Sequence, residues 1–194
     1  MRVAILGTGT VGDALTAGFR ERGDEVTQAS RDGFADAAGQ AELVVLAVLG
    51  AVAEQVARDL AGELAGKVVV DATNPLEFHE GGAPTLFVAG DDSLGERVQR
   101  AAPDARVVKC FNIITAGAMV NPSFSGGAPT MFYAGDDEDA KAAVARVLAD
   151  FGWQSTMDLG GIEGARLLEP LCLLWVQVGL RRGAWDHAFA LLES

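Results

Sequence analysis

Arg2-Val3-Ala4-Ile5-Leu6-Gly7-Thr8-Gly9-Thr10-Val11-Gly12 decides the fold. A short apolar run enters a glycine-rich turn, and the turn opens an amphipathic helix expected from Val11 to Arg22, stopped at Gly23. Each glycine has its own task in such a turn. Gly7 permits the tight reversal, Gly9 lets the backbone approach a pyrophosphate, and Gly12 lets the helix pack close to the strand. Unpaired N–H groups at the helix start then face an anion. Strand, turn and helix in this order make Gly7, Thr8, Gly9, Thr10, Val11 and Gly12 the expected phosphate-binding turn of a dinucleotide site.

The next strand, expected over Glu25 to Ala29, ends where dinucleotide-binding proteins that take NAD carry an acidic residue for the ribose hydroxyls. Here the chain reads Ser30-Arg31. A hydroxyl and a guanidinium fork suit a 2′-phosphate, which a carboxylate at that position repels, so these two residues point to NADP. Asp32 acts against this preference if it, and not Ser30, lies on the ribose.

The rest of the chain fits one domain with a small appendage. Its 194 residues suffice for one sizeable core but not for two full-sized domains. A formal net charge of −12 argues against nucleic acid or an anionic membrane surface as partner, and it requires local donors to hold an anionic cofactor. Cys110 and Cys172 are far apart and lack metal-ligand spacing, so neither a disulfide framework nor a zinc site is expected. Met1 leads straight into the first strand with no basic leader, and the longest apolar run, Leu43 to Ala53, is too short to span a bilayer. The expected setting is the cytoplasm.

Strand and helix signals alternate: a helix over Phe34 to Ala41, strands over Leu43 to Val48 and Val68 to Asp71, and a helix over Val52 to Leu64 between them. A strand over Arg106 to Cys110, a helix over Glu138 to Asp150 and an edge-like strand over Trp153 to Asp158 follow. The pattern predicts an α/β fold, a doubly wound, mostly parallel Rossmann sheet over residues 1–160, with a helical segment over 161–194. That segment holds one helix over Gly164 to Arg182 and a last one over Trp185 to Leu192. Its broad apolar stripe would pack on the sheet or form a homodimer. Residues 81–92 are nearly repeated by residues 126–137, each copy ending in paired aspartates where a helix begins, as N-terminal caps do.

Acid–base machinery is sparse. The only tyrosine, Tyr133, has Asp137 four residues on, which excludes the Tyr-x-x-x-Lys chemistry of short-chain dehydrogenases. His79 and His187 lack evident partners and read as solvent-facing, while Lys109, at a strand end, is an anchoring or catalytic cation. A flavin or deazaflavin acceptor removes the need for such groups, because its ring manages its own protonation and the protein need only stack two ring systems.

At this level the chain resembles the NADPH-dependent oxidoreductases of coenzyme F420. The resemblance covers nearly the whole length and rests on Gly7 to Gly12, Ser30-Arg31, Asp71-Ala72-Thr73-Asn74-Pro75-Leu76, Val107 to Asn112, and Arg166 to Leu171. It implies that Thr8, Thr10 and Val11 lie on the pyrophosphate turn, that Ser30 and Arg31 hold the 2′-phosphate, and that Val48 and Leu49 flank the adenine and ribose. It further implies that Asn74, Pro75 and the Phe111-Asn112 loop approach the nicotinamide. Members with a deazaflavin partner carry a His-Thr-Ile-Pro type sequence at that loop, where this chain has Asn112-Ile113-Ile114-Thr115. Relatives of similar fold use ordinary flavins, so FMN or FAD stands beside coenzyme F420 as second substrate. An anionic deazaflavin tail needs a local cluster such as Arg166, Arg181 and Arg182, residues that equally suit a solvated surface or a helix end. Two other functions stay open: a non-catalytic NADP-binding redox-sensor module, and a truncated relative of the β-hydroxyacid dehydrogenases, whose substrate domain the last thirty or so residues are too short to supply.

Overall fold

A computed structural model describes residues 1–80 and 82–192. Strands β1 (Arg2–Leu6), β2 (Glu25–Ala29), β3 (Leu43–Leu46) and β4 (Val68–Asp71) begin the chain, and β5 (Leu76–Glu77) pairs with β6 (Thr85–Leu86) in a separate antiparallel hairpin. With β7 (Arg106–Lys109), β8 (Thr130–Gly135) and β9 (Ser155–Asp158), the main sheet has the order β2-β1-β3-β4-β7-β8-β9. Five neighbouring strands, β2 to β7, are parallel. Within the main sheet, among the described residues, only the β7–β8 pairing is antiparallel, with Val108 opposite Gly135 and Lys109 opposite Ala134.

Helices α1 (Thr10–Glu21), α2 (Phe34–Gln40), α3 (Gly50–Asp59), α4 (Ala61–Leu64), α5 (Leu94–Ala101), α6 (Glu138–Asp150) and α7 (Ala165–Arg182) cover the sheet. Successive strand residues point to opposite faces, so each buried strand feeds two cores. Val3, Ile5 and Val45 pack with Leu15 and Phe19 of α1 and with Val144 and Leu148 of α6. Ala4, Leu6 and Val44 pack with Phe34 of α2, Val56 of α3 and Val98 of α5. Each fully buried Leu, Ile or Phe contributes about 1.5–3 kcal/mol, so these layers hold the sheet while the loops at its edge are free to serve the site. The doubly wound α/β architecture expected from the sequence is present. Among the described residues, no helix is long and apolar enough to cross a membrane.

Several local expectations are corrected. The segment 52–64 is two helices, because α3 ends at Asp59 and α4 starts at Ala61, with Leu60 between them. Trp153 lies outside β9; its indole donates to the Met119 carbonyl at 2.9 Å and anchors the long β7–β8 connection. No helix forms over Trp185 to Leu192. The chain leaves α7 at Gly183 in the left-handed region, with φ 65, and its tail bonds elsewhere: Thr130 N–H donates to the Phe189 carbonyl, and Leu191 N–H to the Thr130 hydroxyl. His187 is therefore buried, stacked on Trp175 with ring centroids 5.0 Å apart, and not solvent-facing. His79 is exposed, as expected, and meets the Thr85 hydroxyl.

The two halves of the internal echo also diverge. Asp137 caps α6 by accepting the Ala140 N–H at 2.7 Å. In the first copy Ser93 caps α5 instead, and Asp92 accepts from Arg97 and Arg100. Gly81, the first residue of that copy, lies outside the described residues.

Candidate functional site

The chain runs from β1 outward to β2 and then returns to the other side of β1 for β3, so a crevice opens at the carboxyl ends of β1 and β3. Gly7, Thr8, Gly9, Thr10, Val11, Ala47, Val48, Leu49 and Ala72 line a cleft of about 390 Å³ there. Gly7 has φ +140, and a Cβ on it would collide with the Ala47 carbonyl, so only glycine fits. Gly12 lies behind the turn, where a Cβ would strike the Gly7 carbonyl. Gly9 differs, since a Cβ there would meet no atom within 4 Å and would project into open space. Gly9 is also the N-cap of α1, and among the described residues no side chain caps that helix, an arrangement able to receive an anion at its first N–H groups. Gln28 escaped sequence reasoning. Its amide donates to the Gly7 carbonyl at 3.0 Å and to Asp13 Oδ1 at 2.8 Å, fastening the turn to β2 and α1. A polar residue two positions before Ser30, on a strand beside the turn, was the available signal.

Arg31 faces an adjoining hollow of about 470 Å³ with Asp32, Phe34, Ala51, Val52 and Gln55. Ser30 is exposed and precedes the single helical turn Arg31–Gly33. Arg31 and Asp32 are both exposed, and among the described residues neither takes part in an ion pair. The guanidinium is therefore uncommitted.

Asn74, Pro75 and Asn112 do not line either cavity. Asn74 and Asn112, beyond the ends of β4 and β7, form a wall of mutual hydrogen bonds, and the Pro75 carbonyl accepts the Phe87 N–H at 3.0 Å. Asn74 Nδ2 donates to the Asn112 carbonyl at 2.9 Å, and Asn112 Nδ2 donates to Asn74 Oδ1 and to the Leu168 carbonyl of α7, each at 3.0 Å. Asn112 Oδ1 is buried without a partner among the described residues. Gly50, the first residue of α3, permits this approach, because a Cβ on it would collide with the Asn74 carbonyl.

Lys109 is fully buried. Its ammonium lies 2.9 Å from Asp71 Oδ2 and 3.0 Å from Glu169 Oε1. Burial alone would lower its pKa, but the two carboxylates outweigh that and hold the ammonium above the usual lysine value. Arg166, Arg181 and Arg182 do not form one cluster. Arg166 pairs with Glu96 and Arg182 with Asp186, and fifteen residues of helix, about 22 Å, separate Arg166 from Arg181.

A glycine turn at the switch point of a doubly wound sheet, with an uncapped helix start beside it, defines a dinucleotide-binding protein of the Rossmann class. Comparison with known proteins narrows this. The family described as NADP oxidoreductase, coenzyme F420-dependent, matches residues 32–75. A crystal structure of a candidate F420-dependent NADP-reductase from Arthrobacter sp. FB24 is 38% identical, superposes with a TM-score of 0.95 and covers 100% of both chains. The F420-dependent NADP reductase of Methanothermobacter marburgensis is 26% identical, with 93% of each chain covered. A reductive aminase from Aspergillus terreus, solved with NADPH, shares the fold at 24% identity and a TM-score of 0.64, over 94% of this chain and 62% of that one. The chain belongs to the family of coenzyme F420-dependent NADP oxidoreductases and is an NADP-dependent oxidoreductase.

Proposed function

We propose that the protein transfers a hydride between NADP(H) and coenzyme F420, with the dinucleotide laid across the carboxyl edge of β1, β3 and β4. The reading rests on the cleft at Gly7 to Val11, whose size, uncapped helix start and bare Gly9 suit a pyrophosphate. Ser30 and Arg31 hold the 2′-phosphate, and Val48 and Leu49 pack on the adenosine half. Phe34, Ala51, Val52 and Gln55 extend that surface beside Arg31. NADPH supplies the hydride at the nicotinamide C4, and the deazaflavin ring accepts it.

The chain's own task is then to orient and to exclude water. Ala72 carries the cleft toward the Asn74–Asn112 wall, and Pro75 stiffens the turn that follows. Holding two flat rings in contact replaces general acid–base catalysis, which accords with the scarcity of His and Lys at this edge.

The test is NADPH oxidation by the purified protein with coenzyme F420, FMN and FAD offered separately, and with NADH as the control donor. Turnover with NADPH and coenzyme F420 is expected. Arg31→Ala is expected to weaken NADPH binding roughly tenfold to a hundredfold, the worth of a charge-assisted hydrogen bond of about 1.5–3 kcal/mol, and to leave NADH unchanged. No turnover with any of the three acceptors refutes the assignment.

A further inference from the structure

The buried lysine carries an inference that rests on the hydride-transfer assignment above. Asp71 and Lys109 are partners in the β4–β7 register, each the last residue of its strand. Glu169 comes from α7 and reaches them through the interior, accepting the Leu94 and Gly95 N–H groups at 3.0 and 2.9 Å at the start of α5. Asp71 Oδ1 accepts from both the N–H and the hydroxyl of Thr73, at 2.9 and 2.6 Å. All three charged side chains are shielded from solvent.

Each member of this cluster stands at the root of one part of the asparagine wall. Asp71 leads through Thr73 to Asn74. Lys109 leads through Phe111 to Asn112, and Phe111 has φ 64, a conformation that a bulky residue rarely adopts. Glu169 follows Leu168, whose carbonyl accepts from Asn112 Nδ2. One ammonium thus ties together the two loops and the helix that present Asn74 and Asn112. A buried ion cluster is a poor route to stability, since apolar side chains of similar volume do as well or better. What it fixes, and an apolar cluster does not, is the direction and spacing of three backbone segments.

We propose that Asp71, Lys109 and Glu169 are positioning residues for hydride transfer: their ion cluster sets the Asn74–Asn112 wall that holds the nicotinamide ring, without touching cofactor or acceptor. Glu169→Gln keeps the shape and removes one charge. Asp71→Asn is the second probe, since its Oδ1 can still accept from Thr73. Both act on the ring and leave the 2′-phosphate end of the site intact.

For folded Glu169→Gln, NADPH affinity by calorimetry is expected to stay within about threefold of the unaltered protein, while kcat with coenzyme F420 falls roughly tenfold to a hundredfold, the cost of misplacing a reacting group by about 1 Å. The nicotinamide fluorescence of bound NADPH is expected to lose the enhancement that a fixed ring gives. Asp71→Asn is expected to show the same split. A lower melting temperature with unchanged kcat and unchanged fluorescence, in whichever variant folds, overturns the inference and leaves the cluster purely structural. If the unaltered protein fails to bind NADPH or to pass the hydride, the functional assignment falls and takes this inference with it; turnover by the unaltered protein with unaffected variants overturns this inference alone.

Discussion

Gly7 and Gly9 stand two residues apart in one turn, yet the structure assigns them different roles that a pair of alanine substitutions separates. At Gly7, φ is +140 and an added Cβ would run into the Ala47 backbone. Such a conformation costs a non-glycine residue about 1–3 kcal/mol before any shift of β3, which for a chain of this size lowers the melting temperature by roughly 2–4 °C per kcal/mol. At Gly9 the backbone is extended, with φ −90 and ψ 178, which alanine adopts freely, and the new methyl touches nothing. Two small terms then oppose each other. Alanine reduces the freedom of the unfolded chain, a gain of about 0.4–1 kcal/mol, and it is a poorer N-cap than glycine by an amount on the order of 0.5–1 kcal/mol. The expected net stability change for Gly9→Ala is near zero. Its methyl would occupy the proposed path of a pyrophosphate to the α1 N–H groups, so NADPH affinity is expected to fall at least tenfold, or about 1.4 kcal/mol. Thermal melts and isothermal calorimetry on both variants read the two effects separately. A Gly9→Ala protein that melts normally and binds NADPH as tightly as the parent would refute the placement of the pyrophosphate against this turn.

Other groups give independent outcomes. Burial would raise the Asp92 carboxyl, yet hydrogen bonds from Arg100 and Arg97 hold it down to about 2. Its stabilisation is therefore present above an ordinary aspartate pKa and lost as pH falls toward 2. A shift of that size corresponds to ~2 kcal/mol for a buried pair, and partial exposure reduces it to ~1 kcal/mol, so Asp92→Asn is expected to lower stability at pH 7 by that amount and to flatten the loss between pH 4 and pH 2 in acid melts, limits set by those two pKa values. Burial pushes the Cys172 thiol up to about 12 and raises Cys110 further, and both side chains are enclosed. A thiol reagent at neutral pH is expected to label neither cysteine in the native protein and both after denaturant unfolding, read by mass spectrometry.

The proposed phosphate-binding end is the part of the site most legible in the sequence, because its signal is local. The glycine turn is marked by residues within one short stretch, and α6 is found over Glu138–Asp150 as expected because its cap, Asp137, immediately precedes the thirteen residues that carry its periodicity. The proposed nicotinamide side depends on partners far apart in the chain. Asn74 and Asn112 are 38 residues apart, and Asn112 meets Leu168 across 56. The cluster beneath them did leave a trace: Val68-Val69-Val70-Asp71 and Arg106-Val107-Val108-Lys109 both carry a charge at the end of an apolar strand. Adjacent parallel strands in register pair those ends, but that adjacency is a property of the sheet order, which propensity does not encode. The tail misled for a related reason. Trp185 to Leu192 has helical composition, but β8 and Trp175 offer its backbone better partners.

Asp32 decides how far the preference for NADP rests on Arg31 alone. The carboxylate lines the same hollow as the guanidinium, and no ion pair among the described residues neutralises it. A 2′-phosphate carries about −1.5 to −2 charge at neutral pH, by analogy with other phosphomonoesters. A second anion within about a Debye length, ~8 Å at physiological salt, costs it ~0.5–1 kcal/mol in a water-like dielectric. Asp32→Asn is therefore expected to tighten NADPH binding about two- to fivefold, to leave NADH affinity unchanged, and to lose its effect at high salt. A carboxylate that instead accepts hydrogen bonds from the ribose gives the opposite result, with NADH binding weakened by the substitution. Calorimetric titrations of both nucleotides against both proteins at two ionic strengths distinguish these cases, and weaker NADH binding by Asp32→Asn would transfer the ribose contact from Ser30 to Asp32.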